Sequence, residues 1–208
     1  NSLTWSMVIL MRIRRQDYYI RNILKRDKEL LKNWGVFDNP LLEGYNYSSL
    51  NEAELDYWYY SKKFGGRSRY FSVLDYQGNL LGFIGFKNIS YIMRSSLLGI
   101  VFDPNMVSKG LGTRSLDDLL DYYFNEMNMR KLYLEVNAWN DRAIKSYEKV
   151  GFKETGRKVE KFENQNILNT REYLEKKDDF IVKDKQVFSK IIKMEISKKE
   201  YRRDKDGL

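Results

Sequence analysis

The segment Met106-Val107-Ser108-Lys109-Gly110-Leu111-Gly112-Thr113-Arg114 has the residue types and spacing to hold an anion. It falls between a stretch that reads as a strand and one that reads as a helix. The first backbone N–H groups of a helix have no partner inside it, and the aligned peptide dipoles add partial positive charge there. Gly110 and Gly112 let an anion reach the main chain, while Lys109 and Arg114 supply mobile cations. The pattern implies a phosphate or diphosphate cradle; glycines serving only a tight strand-to-helix turn are the alternative. Two well-known phosphate loops do not fit. A Walker loop places its Lys after the last glycine, whereas Lys109 precedes Gly110, and a Rossmann fingerprint needs a third glycine where Ser115 stands.

Composition narrows the reactive groups. The 208 residues include no His and no Cys, which excludes Ser-His-Asp triads, Cys nucleophiles, disulfides and zinc sites of the usual ligand type. No metal is expected. Hydrophobic residues make up 42%, enough for a packed core, and the length suits one globular domain over residues 1–208. A thiol-free chain is compatible with the cytoplasm, the expected location. The apolar run Met7-Val8-Ile9-Leu10-Met11 is too short for a signal peptide or a span, so no membrane partner is expected. Of the formal net charge of +8, the first 34 residues carry +5. Such a segment can bind nucleic acid or acidic lipid headgroups, but charge runs are mostly solvated helix faces. With no RNA-recognition signature, a nucleic-acid partner is not expected.

The elements that must position the loop are read from periodicity. Residues 8–14 alternate as a strand, and 16–34 carry Tyr19, Ile20, Ile23, Leu24, Leu30, Leu31 and Trp34 at near-helical spacing before Gly35. Residues 35–48 read as an irregular loop, and Ser48 or Ser49 as the cap of a second helix ending near Phe64. Strands at 69–74 and 80–89, joined by a turn at 75–79, and a third at 94–102 form a meander. An amphipathic helix follows over 110–127, then a strand over 131–136. Asn140 caps a short helix over 142–150 that stops at Gly151. Residues 152–162 and 188–201 read as further strands, whereas 164–186 lack a pattern. Alternating strands and helices predict a mixed α/β or α+β domain with its ligand at strand carboxyl ends, near residues 103–113.

Taken together, these pieces resemble the acetyl-CoA-binding core of the GNAT superfamily of N-acetyltransferases. The matching residues are Gly99-Ile100-Val101-Phe102-Asp103-Pro104, Gly110-Leu111-Gly112-Thr113, Leu132-Tyr133-Leu134-Glu135-Val136, Asn140, and Ala143-Ile144-Lys145-Ser146-Tyr147-Glu148-Lys149-Val150-Gly151-Phe152. The form of residues 140–152 is similar to the RimJ/RimL-like branch. The resemblance spans about residues 79–162, leaving 163–208 as a tail. It implies a strongly twisted mixed sheet with helices on both faces and a splayed central pair of strands.

It also implies roles. Acetyl-CoA is the cosubstrate, its pyrophosphate resting on the amides of Ser108, Lys109, Gly110, Leu111, Gly112 and Thr113, with Arg114 beside them. The pantetheine runs along Ile100, Val101 and Phe102, and a main-chain N–H near Val101 or Phe102 faces the acetyl oxygen. Asn140 and Ala143 also contact the cosubstrate; Asn140 is at the same time the helix cap. Tyr147 is the general acid for the departing thiolate, a phenol that is protonated at neutral pH; the plainer reading makes it a packing residue. Without Cys or His, no acetyl-enzyme forms on either residue type, so direct attack by a primary amine is expected.

The acceptor could be a protein N-terminus, a polyamine, an amino sugar or a small antibiotic. The family's basic Glu falls near Leu97 or Leu98, which leaves the base open; water relays from Asp103, Glu135 or Glu160 are disfavoured. A catalytically weak acetyl-CoA sensor is the alternative function. Trp34, Phe37, Tyr45, Tyr47, Trp58, Tyr91 and Trp139 are candidates for the acceptor wall, with Glu43 for a cationic amine. The stretch 164–186 is read as a lid or a homodimer element.

Overall fold

A computed structural model of the chain describes residues 12–63, 66–107 and 109–201. Its strands are β1 (Arg12–Arg14), β2 (Tyr19–Asn22), β3 (Arg69–Leu74), β4 (Leu80–Ser90), β5 (Ser95–Phe102), β6 (Lys131–Asn137), β7 (Lys153–Lys161), β8 (Phe180–Lys183) and β9 (Gln186–Ser197). They form one sheet in the order β1-β2-β3-β4-β5-β6-β9-β7, with β8 also on β9. The helices are α1 (Asp27–Leu30), α2 (Glu52–Lys63), α3 (Leu111–Asp121), α4 (Asp141–Lys149) and α5 (Arg171–Glu175). This is the mixed α/β architecture expected, and none of the described helices is long and apolar enough to cross a membrane.

Period-two and period-3.6 patterns place the core. Along β6, Leu132, Leu134 and Val136 are buried while Tyr133 and Glu135 face out. On α3, Leu111, Leu116, Leu119 and Leu120 turn inward. The helix then widens into a π turn, Tyr122–Glu126, whose looser winding buries three consecutive rings, Tyr122, Tyr123 and Phe124. One sheet face packs beneath α3 and α4 through Ile84, Phe86, Leu98 and Leu134. The opposite face packs on α2, where Phe83 stacks on Trp34 at 5.9 Å and meets Trp58 edge-on at 5.2 Å. A third cluster, built from Leu41, Trp139, Phe162, Ile167, Phe180 and Val187, joins the tail to the turn Pro40–Tyr45.

The long helix expected over 16–34 is corrected. Residues Tyr19–Asn22 are an inner strand that pairs β1 on one edge and β3 on the other, and only Asp27–Leu30 with a 3-10 turn Leu31–Asn33 is helical. Tyr18 and Ile20 are buried two residues apart, so a period-two pattern lay inside the near-helical one, and two backbone ladders outweighed weak helix propensity. Buried Asp27 fastens this corner: it accepts two hydrogen bonds from Arg21 at 2.6 and 2.7 Å and one from Ser72 at 2.6 Å. Arg15, Arg21, Lys28 and Lys32 of the basic first segment are spent in ion pairs with Asp118, Asp27, Asp56 and Glu52.

The cap of α2 is also corrected. Asn51 and Glu54 form a reciprocal box, Asn51 Oδ1 accepting from Glu54 N at 3.0 Å and Glu54 Oε2 from Asn51 N at 2.8 Å. The N-terminal part of the expected first strand, Val8 to Met11, and the end of the second helix at Phe64 lie outside the described residues. The patternless stretch 164–186 contains α5 and β8.

Candidate active site

Among the described strands, β5 and β6 are the only parallel neighbours, and they pair over three residues, Ser95↔Lys131, Ser96↔Leu132 and Leu97↔Tyr133. Beyond these, β5 stays with β4 to Phe102 and β6 stays with β9 to Asn137. The two inner edges therefore diverge, and no ladder joins them past Leu97 and Tyr133. Such an edge carries main-chain donors and acceptors that an extended ligand can pair with. α3 starts from the C-terminal end of β5 and α4 from that of β6, so both helices flank the opening.

On the α3 side lies a cavity of about 180 Å³. Its walls include Ile100, Val101 and Phe102 of β5, the turn Gly110-Leu111-Gly112-Thr113, and Arg142, Ala143, Ser146 and Tyr147 of α4. Gly110 is the N-cap of α3 at φ 72°, ψ −2°, and no side chain among the described residues caps the helix. An L-residue with a Cβ is strained in that left-handed conformation. The free amides of the first turn thus open onto the cavity, and the peptide dipoles favour an anion there. Phe102 packs 3.4 Å from where a Cβ on Gly112 would stand.

On the α2 side lies a second cavity of about 290 Å³. Ile100, Val101, Tyr45 and Tyr147 line both cavities, so the backbone of β5 and these two phenols stand at the junction. The second cavity is further lined by Lys62 of α2, Tyr70 of β3, Lys87 of β4 and Glu135 of β6. Burial, with a smaller contribution from Lys87, pushes the Lys62 ammonium down to about 8. Desolvation pushes the Tyr147 phenol well above its ordinary value, so it keeps its proton at neutral pH. Its hydroxyl has no hydrogen-bond partner among the described residues. A protonated hydroxyl free to donate, set beside an unpaired strand edge and a helix N-terminus, can hand a proton to a leaving group in this cleft.

Most residues singled out from the sequence come together here. Ile100, Val101, Phe102, Gly110, Leu111, Gly112, Thr113, Ala143 and Tyr147 all line the first cavity. Ser108 lies outside the described residues. Lys109 is exposed, its Nζ 3.8 Å from Met106 Sδ. Arg114 does not line the cavity: it makes a forked pair with Asp17 at 2.7 and 3.1 Å and sits over the Tyr18 ring. Asn140 is at the N-cap of α4, its Oδ1 accepting from Ala143 N at 3.2 Å.

The candidate bases are otherwise engaged. Asp103 accepts from Gly35 N at 3.0 Å and Asn105 N at 2.9 Å, and Glu135 and Glu160 both pair with Lys158 at 2.6 Å. Leu98 is buried, with no carboxylate at that point of β5. Of the aromatic wall candidates, Phe37, Tyr45 and Tyr47 line the cleft. Trp34, Trp58 and Trp139 are core, and Tyr91 is exposed on the β4–β5 connection. Glu43 lines a neighbouring cavity with Glu160 and Glu163, where Asn164 donates to it.

Sequence reasoning missed Lys62, Tyr70, Lys87, Arg142 and Ser146. Arg142 and Ser146 lie within the motif that pointed to Tyr147, one helical turn apart on α4. Burial disfavours the Arg142 charge, and it has no ion-pair partner among the described residues. Lys62, Tyr70 and Lys87 come from three separate elements and carried no local signal.

Comparisons with known proteins agree with this geometry. The model of the acetyltransferase (GNAT) family matches residues 21–152. A spermidine N(1)-acetyltransferase of Vibrio cholerae is 32% identical over 157 residues, covering 76% of this chain and 85% of the relative. One of Escherichia coli is 28% identical over 155 residues, covering 74% and 77%. The crystal structure of a Vibrio cholerae spermidine N-acetyltransferase in complex with CoA and spermine superposes with a TM-score of 0.67 at 26% identity, over 90% of this chain and 99% of that one. A dodecameric structure of the same enzyme gives 0.62 at 26% identity, over 90% and 97%. With its splayed strands, its uncapped helix over a glycine turn and this breadth of match, the chain belongs to the GNAT family and is an acetyl-CoA-dependent amine N-acetyltransferase.

Proposed function

We propose that the cavity under α3 holds the CoA portion of acetyl-CoA and that the α2-side cavity admits a small primary amine, the two meeting at Val101 and Tyr147. One observation carries this reading: the uncapped start of α3 and the free hydroxyl of Tyr147 open onto the same cavity as the unpaired edge of β5. The amides of Leu111, Gly112 and Thr113 take the diphosphate, and Arg142 adds a cation. The thioester supplies the activated acetyl group. Main-chain donors on β5 face its oxygen, and Tyr147 gives its proton to the sulfur as the amine attacks directly. Glu135 is engaged by Lys158, so the amine loses its proton to solvent and reacts as the neutral form.

The residues 140–152 support placement in the RimJ/RimL-like branch. Spermidine is the acceptor named for the relatives and the first amine to try here. A cytoplasmic location and self-association, of which the dodecameric relative is one example, belong to the same reading. The tail packs through Phe162, Ile167 and Phe180 against the turn that carries Tyr45, a role as a strap for the acceptor wall. The test is calorimetry with CoA followed by thiol release from acetyl-CoA across an amine panel. Tight CoA binding and turnover that disappears in Tyr147→Phe support the reading, and a folded protein that gives no heat with CoA overturns it.

A further inference from the structure

The charges of the α2-side cavity do not suit a polycation. Two lysines line it, Lys62 and Lys87, and neither forms an ion pair with a described carboxylate. Lys62 Nζ donates to Trp58 O at 3.4 Å and lies 4.6, 5.2 and 5.5 Å from the ring centres of Trp58, Phe83 and Tyr70. The lysines are close enough to Tyr147 and β5 to share one cavity with them, and close enough to each other that Lys87 depresses the ionisation of Lys62.

The sheet is shaped to bring them there. Gly85 and Gly99 are cross-strand partners, and Lys87 pairs with Leu97 two residues along the same face. The Tyr70 ring lies over Gly85, and a Cβ on Gly99 would stand 3.3 Å from Lys87 Nζ. Two missing side chains thus make room for a phenol and an ammonium beside the diverging strands. The one carboxylate of the lining, Glu135, is taken by Lys158 at 2.6 Å. What remains is two ammonium groups, the phenols of Tyr47 and Tyr70 and the Asn137 amide, with no second carboxylate in the lining. Burial keeps both phenols protonated. A like-charged pair held partly out of water without a counter-ion is unfavourable until an anion sits between them.

We propose that the acceptor of this enzyme is a small amine that also carries an anionic group, carboxylate or phosphate, held by Lys62 and Lys87 while its amine faces Val101 and Tyr147. The proposal rests on the reading of this cleft as the acetyl-transfer site and deepens it by naming the acceptor class. It sets the chain apart from its relatives, since spermidine offers these lysines only positive charge.

The test uses the full chain saturated with CoA, the CoA titration itself showing whether the underlying reading holds. Three short amines are then titrated by calorimetry and assayed for thiol release from acetyl-CoA: putrescine, γ-aminobutyrate and phosphoethanolamine. At least one anionic amine is expected to bind and turn over with an advantage of about tenfold or more over putrescine, the better of the two identifying the anion. Lys62→Met with Lys87→Met is expected to erase that advantage and Lys62→Glu to reverse it. Lys87→Met alone, at the half-buried position, is expected to reduce it while leaving a cooperative thermal transition. Putrescine or spermidine preferred by the unaltered enzyme would overturn the proposal and move the acceptor towards the acidic cavity of Glu43 and Glu163. Failure of both anionic amines to bind, or a preference untouched by the lysine variants, would overturn it as well. No heat with CoA would instead remove the reading beneath it.

Discussion

The two halves of the cleft are built in different ways. The α3 side is assembled from two continuous pieces of chain, the turn into α3 and the first turns of α4, laid against the end of β5. The main-chain amides at the start of α3 are groups that any sequence able to make the turn would present. The α2 side is assembled from side chains of α2, β3, β4 and β6. Its character, two lysines and several phenols around an apolar floor, depends on each residue separately. On the proposed assignment, a cosubstrate that does not vary is held by backbone, and the choice of acceptor falls to side chains that can change one at a time.

The sharpest way to break this comparison is at the junction. Tyr147→Phe is expected to lower kcat by about 100-fold or more, the usual range for losing a general acid, with CoA affinity unchanged by calorimetry. A matching loss of CoA affinity would make Tyr147 a packing residue of the α3 side. The proposed acceptor half makes a second demand. With Glu135 engaged and Tyr147 holding its proton, kcat/KM should rise about tenfold per pH unit between about pH 6 and 8, following the neutral fraction of the amine. A plateau near pH 6 would reveal a protein base.

On the α3 side, Gly110→Val forces a branched residue into the left-handed region at a cost of about 1–2 kcal/mol. CoA should bind about tenfold more weakly if that cost falls on the site, while the ratio of rates between acceptors stays the same. The smallest effect concerns stability. Lys62 ionises near pH 8 in the folded chain, below its unfolded value of about 10.4. The folded state is therefore penalised for the charge at every pH below about 8, and the penalty fades as pH rises towards about 10. Lys62→Met should melt a few degrees higher than the parent at pH 7, each kcal/mol being worth about 2–4 °C for a chain of this length. The gap should close between about pH 8 and 10. A variant that melts lower at pH 7 would show that the rings around Lys62 hold its ammonium more strongly than burial opposes it.

Local physics accounts for what could be read from the sequence. Alternation along Leu132, Leu134 and Val136, the α3 stripe of Leu116, Leu119 and Leu120, and the stop at Gly151 with φ 97° are decided by neighbours in the chain. The glycine turn and Tyr147 were legible for the same reason, since a helix N-terminus and one face of a short helix are short-range objects. The strand at Tyr19–Asn22 was not, because its partners are β1 and β3, and β3 is some 50 residues away.

Arg114 looked like a cofactor cation by spacing, yet Asp17, distant in sequence, pairs with it. Amino-acid order alone thus determined the sheet-and-helix alternation, the glycine turn into α3, the place of Tyr147 on a short helix and a composition without thiol or imidazole. Tertiary structure decided which carboxylates were already engaged, which cations stayed unpaired, and that Lys62, Tyr70 and Lys87 share a cavity with Tyr147. Charge compensation and burial depend on distances between elements, and only the folded sheet sets those distances.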